Sequence, residues 1–303
     1  IDPSRLGVPR ATPLGFGRSA EGGMLVLRHA RGEYEAIDRL GDMFQEEVRM
    51  RARRAGTAAS PAAAWAGADP AFREAVVRVA AERWGRVDAY TMREAMWYLP
   101  RYAESTAFKP ALALSILRTL RSRRILDPCA GWGDRLLAAL AHGAEAYVGV
   151  DPNRELERGH AAIVRKFGGG ETSVTMRYAP FEDVALEAGE TFDTVFTSPP
   201  YFDTEEYARD ASQSLARHPT LREWLRAWLA PCLAKAWARL DVGGHMAIHM
   251  CDRRIAGELL RTVGRLHGAR YVGALFSVAA EGAARPRPTW VFAKAAAASS
   301  EEE

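Results

Sequence analysis

The stretch ILDPCAGWGDR, from Ile125 to Arg135, decides the fold class of this 303-residue chain. A short apolar run ends at Asp127 and is followed at once by a glycine-containing turn and a helical pattern. Glycines at a strand-to-helix turn let the backbone approach a ligand closely, and the first N–H groups of the helix are available to bind it. The stretch lacks the phosphate-loop pattern G-x-x-x-x-G-K-[ST] and matches G-x-G-x-x-G poorly, which disfavours nucleoside triphosphates and dinucleotides.

After Arg124 the sequence alternates between short apolar runs and helical stretches, a pattern typical of parallel βαβ units. The predicted strands are Ile125–Asp127, Tyr147–Asp151, Val174–Tyr178, Thr194–Thr197, Met246–Met250, Tyr271–Phe276 and Trp290–Ala293. The predicted helices are Arg135–Ala141, Arg154–Phe167, Leu221–Leu240 and Ile255–Leu266. Because no helix pattern fits the gap before the last strand, we expect the last two strands to form an antiparallel hairpin. The sequence therefore predicts an α/β fold with a seven-stranded, mostly parallel sheet.

The first third of the chain is predicted to be mainly helical. From Glu33 to Leu120, apolar residues recur at spacings of three and four. Asp69 followed by Pro70 predicts the cap and first turn of a helix over Phe72–Trp84. We therefore divide the chain into a helical region over 1–107 that helps to shape a ligand pocket, an α/β domain over 108–295 and a disordered tail over 296–303.

Charge and composition restrict the partners. Lys+Arg 41 against Asp+Glu 38 gives a net charge of +3 and a pI of about 8.8, which is compatible with phosphate binding. Only four of these cations are lysine, so an arginine bias of GC-rich coding accounts for part of the basic pI. The one dense basic cluster, Arg49, Arg51, Arg53 and Arg54, can simply cover a helix surface.

Cysteine usage and hydropathy favour a cytoplasmic setting without membrane contact. Cys129, Cys232 and Cys251 form no C-x-x-C pair, so neither a disulfide framework nor a zinc ribbon is expected. The N-terminus has no apolar signal region, and no apolar run reaches the ~18 residues of a membrane span. His245 and His249 share one face of the fifth predicted strand, where we expect ordinary core or edge histidines rather than a metal site.

A second motif lies at the end of the second predicted strand. Asp151 follows Gly133 by 18 residues, close to the spacing at which an acidic residue accepts hydrogen bonds from ribose hydroxyls. Together with the first motif, this acid suggests an adenosyl ligand without phosphates. The alternative is that Asp151 only caps the following helix.

The third motif, Ser198-Pro199-Pro200-Tyr201-Phe202, follows the fourth predicted strand. Two consecutive prolines fix φ and remove two backbone donors, so the loop is stiff and presents carbonyl groups. Ser198 can accept a hydrogen bond, and Tyr201 offers a flat face for stacking on a planar or unsaturated group. Such a loop at the carboxyl edge of a parallel sheet lies where ligands bind. The alternative is a proline-rich turn with a core tyrosine.

These three motifs together resemble the class I S-adenosylmethionine-dependent methyltransferases, which have a Rossmann-like fold. The likeness is greatest to the amino-methyltransferases of DNA bases and their relatives in phages and large viruses, and it covers about Phe108 to Ala295. The resemblance implies S-adenosylmethionine as cofactor, bound by Asp127, Ala130, Gly131, Gly133, Asp151, Asn153, Phe181, Ser198, Phe108 and Lys109. Ser198, Tyr201 and Glu182 are the implied or available catalytic residues.

Two departures from that family bear on the acceptor. Only about twenty residues separate Tyr201 from the helix near Leu221, too few for a target-recognition module. Asp203, Glu205 and Glu206 would repel a phosphate backbone unless a metal intervened, although they can also be a solvated helix face. The predicted acceptor pocket comprises Pro199, Pro200, Phe202, Glu205, Glu206, Tyr207, Trp224, Trp97 and Tyr98.

We therefore expect a methyltransferase acting on a small molecule, either a planar nitrogen compound or an unsaturated carbon chain such as a prenyl diphosphate. Mg²⁺ is expected only if the acceptor is a diphosphate. The alternative is methylation of a DNA base at cytosine N4 or adenine N6, and a non-catalytic cofactor sensor is a third reading. Methyl transfer from a sulfonium is an in-line displacement, so alignment and exclusion of water can supply most of the catalysis.

Overall fold

The computed structural model describes residues 23–29, 40–99, 105–208, 210–279 and 287–296. The strands are β1 Gly23–His29, β2 Arg53–Arg54, β3 Arg124–Asp127, β4 Ala146–Val150, β5 Ser173–Arg177, β6 Phe192–Thr197, β7 Glu205–Glu206, β8 Leu240–His249, β9 Ala269–Ala279 and β10 Arg287–Lys294. The helices are α1 Asp42–Arg51, α2 Pro61–Ala66, α3 Pro70–Trp84, α4 Ala89–Tyr98, α5 Pro110–Leu120, α6 Asp134–His142, α7 Glu157–Phe167, α8 Ser214–Arg217, α9 Leu221–Glu223, α10 Ala230–Ala238 and α11 Arg253–Gly264. A π-helical turn, Trp224–Leu229, joins α9 to α10. Within these ranges, no helix combines the length and apolar character that a membrane crossing requires.

The main sheet contains eight strands in the order β1-β9-β10-β8-β6-β3-β4-β5. Strands β8, β6, β3, β4 and β5 run parallel to one another, whereas β10 pairs antiparallel with both β8 and β9. All seven predicted strands are present, and the last two form the expected hairpin. The predicted α/β fold, with a mostly parallel sheet and an antiparallel last hairpin, is thereby confirmed, and the described sheet has one strand more than the seven expected.

The sequence pattern did not predict β1. This strand pairs parallel with β9 and forms one edge of the sheet, inside a region predicted to be mainly helical. Nearby helices follow their sequence signals more closely. The Asp69 side chain accepts a hydrogen bond from Phe72 N, and α3 begins at Pro70 as expected.

Both faces of the sheet are covered by helices, as the apolar strands require. On one face, the π-helical turn, α10 and α11 pack against the sheet through residues such as Trp224, Trp237 and Leu259. On the other face, α5 and α6 bury Ile116, Leu117 and Leu136. With both faces filled, the carboxyl ends of the parallel strands are the place where a ligand can enter the domain.

A second, two-stranded sheet joins the N-terminal region to the loop after Tyr201. Strands β2 and β7 pair antiparallel, with Arg53 opposite Glu206 and Arg54 opposite Glu205. Next to this pair, Ala55 N donates to Thr204 O over 2.8 Å. Members of the predicted basic cluster thus have different environments. Arg53 and Arg54 form β2, whereas Arg49 is 2 % exposed and donates hydrogen bonds to Asp42 and to Ser105 O.

Candidate active site

One cavity of about 530 Å³ lies at the carboxyl ends of β3, β4, β6 and β8. This volume is in the range of about 300–1,000 Å³ that is usual for small-molecule sites. Predicted residues that line it are Phe108, Lys109, Ala130, Gly131, Asp151, Asn153, Phe181, Glu182, Ser198, Pro199, Pro200, Tyr201, Glu205 and Tyr207. The three sequence motifs therefore meet at one cavity.

The turn after β3 forms one wall of this cavity. Gly131 and Gly133 adopt φ angles of +57° and +88°, which a side chain would disfavour. Gly133 is not among the residues that line the cavity, and a Cβ there would come within 2.8 Å of Ile163 Cδ1. In this structure Gly133 allows close packing against Ile163 and His160, and its contact with a cofactor stays a prediction.

Asp127 also lies beneath the cavity rather than in its wall. The carboxylate is fully buried and accepts hydrogen bonds from Arg135 Nε at 2.7 Å and from the Tyr147 hydroxyl at 2.8 Å. Arg135 also donates to Cys129 O, and its guanidinium lies 5.3 Å from the Phe108 ring centroid. This buried network fixes the start of α6 and the turn, and it places Asp127 behind the residues that line the cavity.

The turn is held from below by His160. Its Nε2 pairs with Gly131 O at 2.9 Å and its Nδ1 with the Tyr178 hydroxyl at 3.1 Å. Burial lowers the pKa of His160 to about 4, so the imidazole is neutral near pH 7. Sequence reasoning missed this support because nothing in the motif indicates which side chain of α7 faces the turn.

Asp151 lies in the cavity wall at the end of β4. Its Oδ2 accepts from Gly131 N and its Oδ1 from Asn153 N, both at 2.9 Å. These bonds connect the first and second motifs through one carboxylate. Burial raises the pKa of Asp151 to about 6, although the two backbone hydrogen bonds favour the ionised form.

An unsatisfied amide next to Asp151 fits an adenosyl ligand. Asn153 is 4 % exposed and lines the cavity, and its Nδ2 has no hydrogen-bond partner among the described residues. A buried donor without a partner costs about 1–3 kcal/mol, which a ligand oxygen would recover. Opposite it, a Cβ on Gly131 would meet nothing closer than 3.9 Å, so the wall leaves space beside this turn. An unpaired donor, a carboxylate and space are thus combined at one place in the cavity wall.

Cofactor affinity is expected to depend on pH through Asp151. Ribose hydroxyls donate to the ionised carboxylate, and protonation removes part of that acceptor capacity. Because the pKa is about 6, affinity for S-adenosylmethionine should be constant above about pH 7 and fall as the pH decreases through 6, by up to about tenfold per unit. Calorimetric titrations from pH 5 to 8 measure this. An Asp151→Asn protein should show no such decrease, and the same slope in that variant would contradict the assignment.

The far end of the cavity is formed by Phe181, Glu182 and Trp228. Glu182 was predicted as a catalytic base, but its carboxylate is engaged: Oε1 accepts from Arg217 at 3.1 Å and Oε2 from Trp228 Nε1 at 3.0 Å. Lys235 Nζ donates to Phe181 O at 2.6 Å and holds the same turn. The π-helical turn places Trp228 at the cavity, a local geometry often found at functional sites.

The loop after β6 forms the opposite wall. Ser198 Oγ donates to His249 O at 3.5 Å, and the Tyr201 hydroxyl accepts from Cys251 N at 3.4 Å. Phe202 was expected in the acceptor pocket, but its φ of +53° turns it into the core against Trp224. Trp224 is fully buried, so it too belongs to the core and not to the pocket.

The acidic residues after this loop are paired rather than free. Glu205 accepts from Thr106 N at 2.8 Å and from the Tyr207 hydroxyl at 2.7 Å. Glu206, expected in the pocket, lies outside the cavity wall and forms an ion pair with Arg53 at 2.8 Å. Asp203 pairs with Arg254 at 2.9 Å. These carboxylates fasten the loop to its surroundings, and Asp203 and Glu206 do so through cationic partners, whereas the partners of Glu205 named above are uncharged.

Of the two aromatic residues of α4 that were predicted in the acceptor pocket, Tyr98 does not line the cavity. Tyr98 is 51 % exposed and packs against Trp84 and Arg83, away from the cavity wall. The side chain of Trp97 lies outside the described residues. The sequence could not predict the position of Tyr98, because the orientation of α4 depends on how this helix packs against α3.

Several cavity residues were not predicted as site residues. They include His249, Cys251 and Arg287 near Tyr201, Gln213 and Ser214 in the following loop, and Trp132 in the first turn. His249 and Cys251 follow directly from strand alternation at the end of β8, a signal that the sequence contains. In the part of the chain described, no group of three or more His, Cys, Asp or Glu side chains is arranged to bind a metal ion.

Comparisons with known proteins give structural likenesses only. No protein-family model matches the chain, and no curated protein matches it either. TrmN from Thermus thermophilus is similar over 62% of this chain and 49% of its own, with 20% identity and a TM-score of 0.43. A SAM-dependent O-methyltransferase from Thermotoga maritima is similar over 65% of this chain and 68% of its own, with 15% identity and a TM-score of 0.41. An rRNA methylase from Streptococcus thermophilus is similar over 63% of this chain and 100% of its own, with 13% identity and a TM-score of 0.42. The match thus spans about half the length of TrmN.

Proposed function

We propose that this chain is an S-adenosylmethionine-dependent methyltransferase that acts on a small molecule. The observation that supports this most is the cavity that both Asp151 with Asn153 and the Ser198–Tyr201 loop line. A nucleoside-type cofactor and a small methyl acceptor can both fit in about 530 Å³.

The residues present fit the cofactor. Asp151 and Asn153 would hold the ribose, the Gly131 turn the methionine part, and Phe181 the adenine. S-adenosylmethionine, when bound, supplies a methyl group on a positively charged sulfur. The remaining catalysis is positioning: the stiff Ser198–Tyr201 loop aligns the acceptor, and the surrounding walls exclude water.

Two N-terminal segments favour a small acceptor over a polymer. Strand β2 and Thr106 lie against residues 204–206 through the Ala55 N to Thr204 O and Thr106 N to Glu205 Oε1 bonds. This cover restricts the space that a nucleic-acid duplex would need beside the loop. We extend the proposal to the whole of residues 1–107 as the region that shapes the acceptor pocket, and to the cytoplasmic setting expected from the three cysteines.

The acceptor classes remain those expected from the sequence, a planar nitrogen compound or an unsaturated chain such as a prenyl diphosphate. Mg²⁺ would take part only with a diphosphate. A nucleic-acid acceptor, such as a cytosine or adenine base in DNA, is the second candidate. It is favoured by the cationic side chains Arg54, Lys109 and Arg287 at the cavity, which could contact phosphates.

The two candidates are distinguished by incubating the protein with methyl-labelled S-adenosylmethionine and either duplex DNA, transfer RNA or a small-molecule extract. We expect label in the small-molecule fraction. Strong, salt-sensitive labelling of either nucleic acid would overturn the small-molecule assignment, because phosphate contacts weaken steeply with salt.

Replacing Tyr201 with alanine should reduce this labelling about tenfold or more, since loss of a stacking face costs about 1–3 kcal/mol. Tyr98→Ala is the matched control, because Tyr98 lies away from the cavity. Undiminished turnover of the Tyr201 variant would show that this side chain is not part of the acceptor site.

A further inference from the structure

His249 stands beside the Ser198–Tyr201 loop because of strand register. Strands β6 and β8 are parallel neighbours, with Thr197 paired to Ile248. The next residue on each strand is therefore Ser198 on one side and His249 on the other, both at the carboxyl edge where the cavity opens. Two hydrogen bonds hold this segment against the loop, one from Ser198 Oγ to His249 O and one from Cys251 N to the Tyr201 hydroxyl.

The imidazole is fixed, and one of its nitrogens is available. Nδ1 pairs with Thr289 Oγ1 at 3.0 Å, and the ring meets Phe108 edge-on at 4.9 Å between centroids. Among the residues that the structure describes, none forms a hydrogen bond with Nε2. His249 is 8 % exposed and lines the cavity, so Nε2 is left for a ligand there.

The carboxylates of the cavity have other partners. Glu182 is bound by Arg217 and Trp228, and Glu205 by Thr106 N and Tyr207. Asp151 bonds to Gly131 N and Asn153 N and faces the ribose end. Near the acceptor loop, His249 is thus the titratable side chain with a nitrogen lone pair to offer.

We propose that His249 Nε2 accepts a hydrogen bond from an N–H of the methyl acceptor and takes that proton as the methyl group is transferred. This rests on the proposed methyltransferase function. The new bond joins the acceptor nitrogen to the methyl carbon, and the carbon–sulfur bond breaks with its electron pair passing to sulfur. The N–H electron pair stays on nitrogen, and the proton moves to Nε2 and later to solvent. Thr289 acts as a positioning residue by accepting Nδ1–H, which leaves the lone pair on Nε2.

The surroundings of His249 also indicate the kind of nitrogen. Burial, with the positive charges of Arg135 and Arg287, lowers the pKa of His249 to about 3, so it is neutral and weakly basic. A weakly basic imidazole whose Nε2 faces the cavity is matched to an acidic cation rather than to a strongly basic amine. A nitrogen conjugated to an aromatic or heteroaromatic ring becomes such a cation when it is methylated, whereas an aliphatic amine does not.

The proposal is testable without knowing the acceptor. Sinefungin carries an amine where S-adenosylmethionine carries its sulfonium methyl group, and S-adenosylhomocysteine carries nothing there. In His249→Phe, calorimetry should show sinefungin affinity lowered about tenfold, the value of one lost charge-assisted hydrogen bond, with S-adenosylhomocysteine affinity unchanged. Thr289→Val should show a smaller loss of the same kind. His267→Phe is the control, because His267 is exposed and lies outside the cavity wall.

The wild-type protein provides a second measurement if the variant fails to fold. In ¹⁵N-histidine-labelled protein, the His249 Nε2 resonance should shift when sinefungin is added and not when S-adenosylhomocysteine is added. Three results would overturn the role of His249: an equal loss of affinity for both ligands in His249→Phe, no loss of affinity for either, or an unshifted Nε2 resonance in the wild type. If the wild type binds neither compound, the methyltransferase function itself fails, so the two failures are distinguishable.

Discussion

Asp151→Ala is expected to weaken binding of S-adenosylmethionine by about 100-fold, because two charge-assisted hydrogen bonds to ribose hydroxyls are lost at about 1.5–3 kcal/mol each, less what water restores. A further part of the loss comes from the protein itself. The same carboxylate bonds to Gly131 N and Asn153 N, so its removal also frees the first turn and the segment after β4.

Isothermal titration at pH 7.5, above the pKa of about 6, measures this effect with the carboxylate ionised. Glu171→Ala is a suitable control, since Glu171 is an exposed acid outside the cavity wall. Asp151→Asn keeps the shape and should lose less affinity than Asp151→Ala. Unchanged affinity in the alanine variant would show that Asp151 is a helix cap and not a ribose ligand.

The second large effect is on stability. Arg135→Met is expected to lower the free energy of unfolding by about 3–5 kcal/mol, because it leaves the Asp127 carboxylate buried without its cationic partner. Asp127 is 0 % exposed and the Arg135 side chain 5 %, so water cannot replace the lost interaction. Arg135 also closes the turn by donating to Cys129 O.

Urea unfolding followed by tryptophan fluorescence measures this change. Arg123→Met is the control, because the Arg123 side chain is 71 % exposed and its ion pair with Glu145 should contribute at most about 1 kcal/mol. Adding Asp127→Asn to Arg135→Met should recover part of the loss by removing the uncompensated charge. A stability within about 0.5 kcal/mol of wild type for Arg135→Met would contradict this account.

Most of the α/β domain could be predicted because its signals are local. Short apolar runs such as Tyr147–Val150, each followed by a helical pattern, specify a parallel sheet buried on both faces. The motif positions then follow from topology, since loops at the carboxyl ends of parallel strands share one edge. Asp151 and Ser198 therefore meet at one cavity although 47 residues separate them.

What could not be predicted depends on tertiary packing. Phe202 and Trp224 flank the acceptor loop in sequence, but a positive φ and the π-helical turn direct them into the core. Glu205 and Glu206 read as an acidic surface because their partners, Thr106 and Arg53, are distant in the chain. Which nitrogen of His249 faces the cavity depends on Thr289, which lies on the neighbouring strand β10 and pairs with Nδ1.

Strand β1 has a consequence for how the molecule assembles during synthesis. Its partner β9 begins at Ala269, 240 residues after β1 ends at His29. Contacts between such distant segments form slowly because a long loop must close first. Strand β1 therefore has no pairing partner during synthesis until the segment through β9 has left the ribosome. A protein shortened before β9 would leave β1 with no edge to join, exposing backbone groups that promote aggregation.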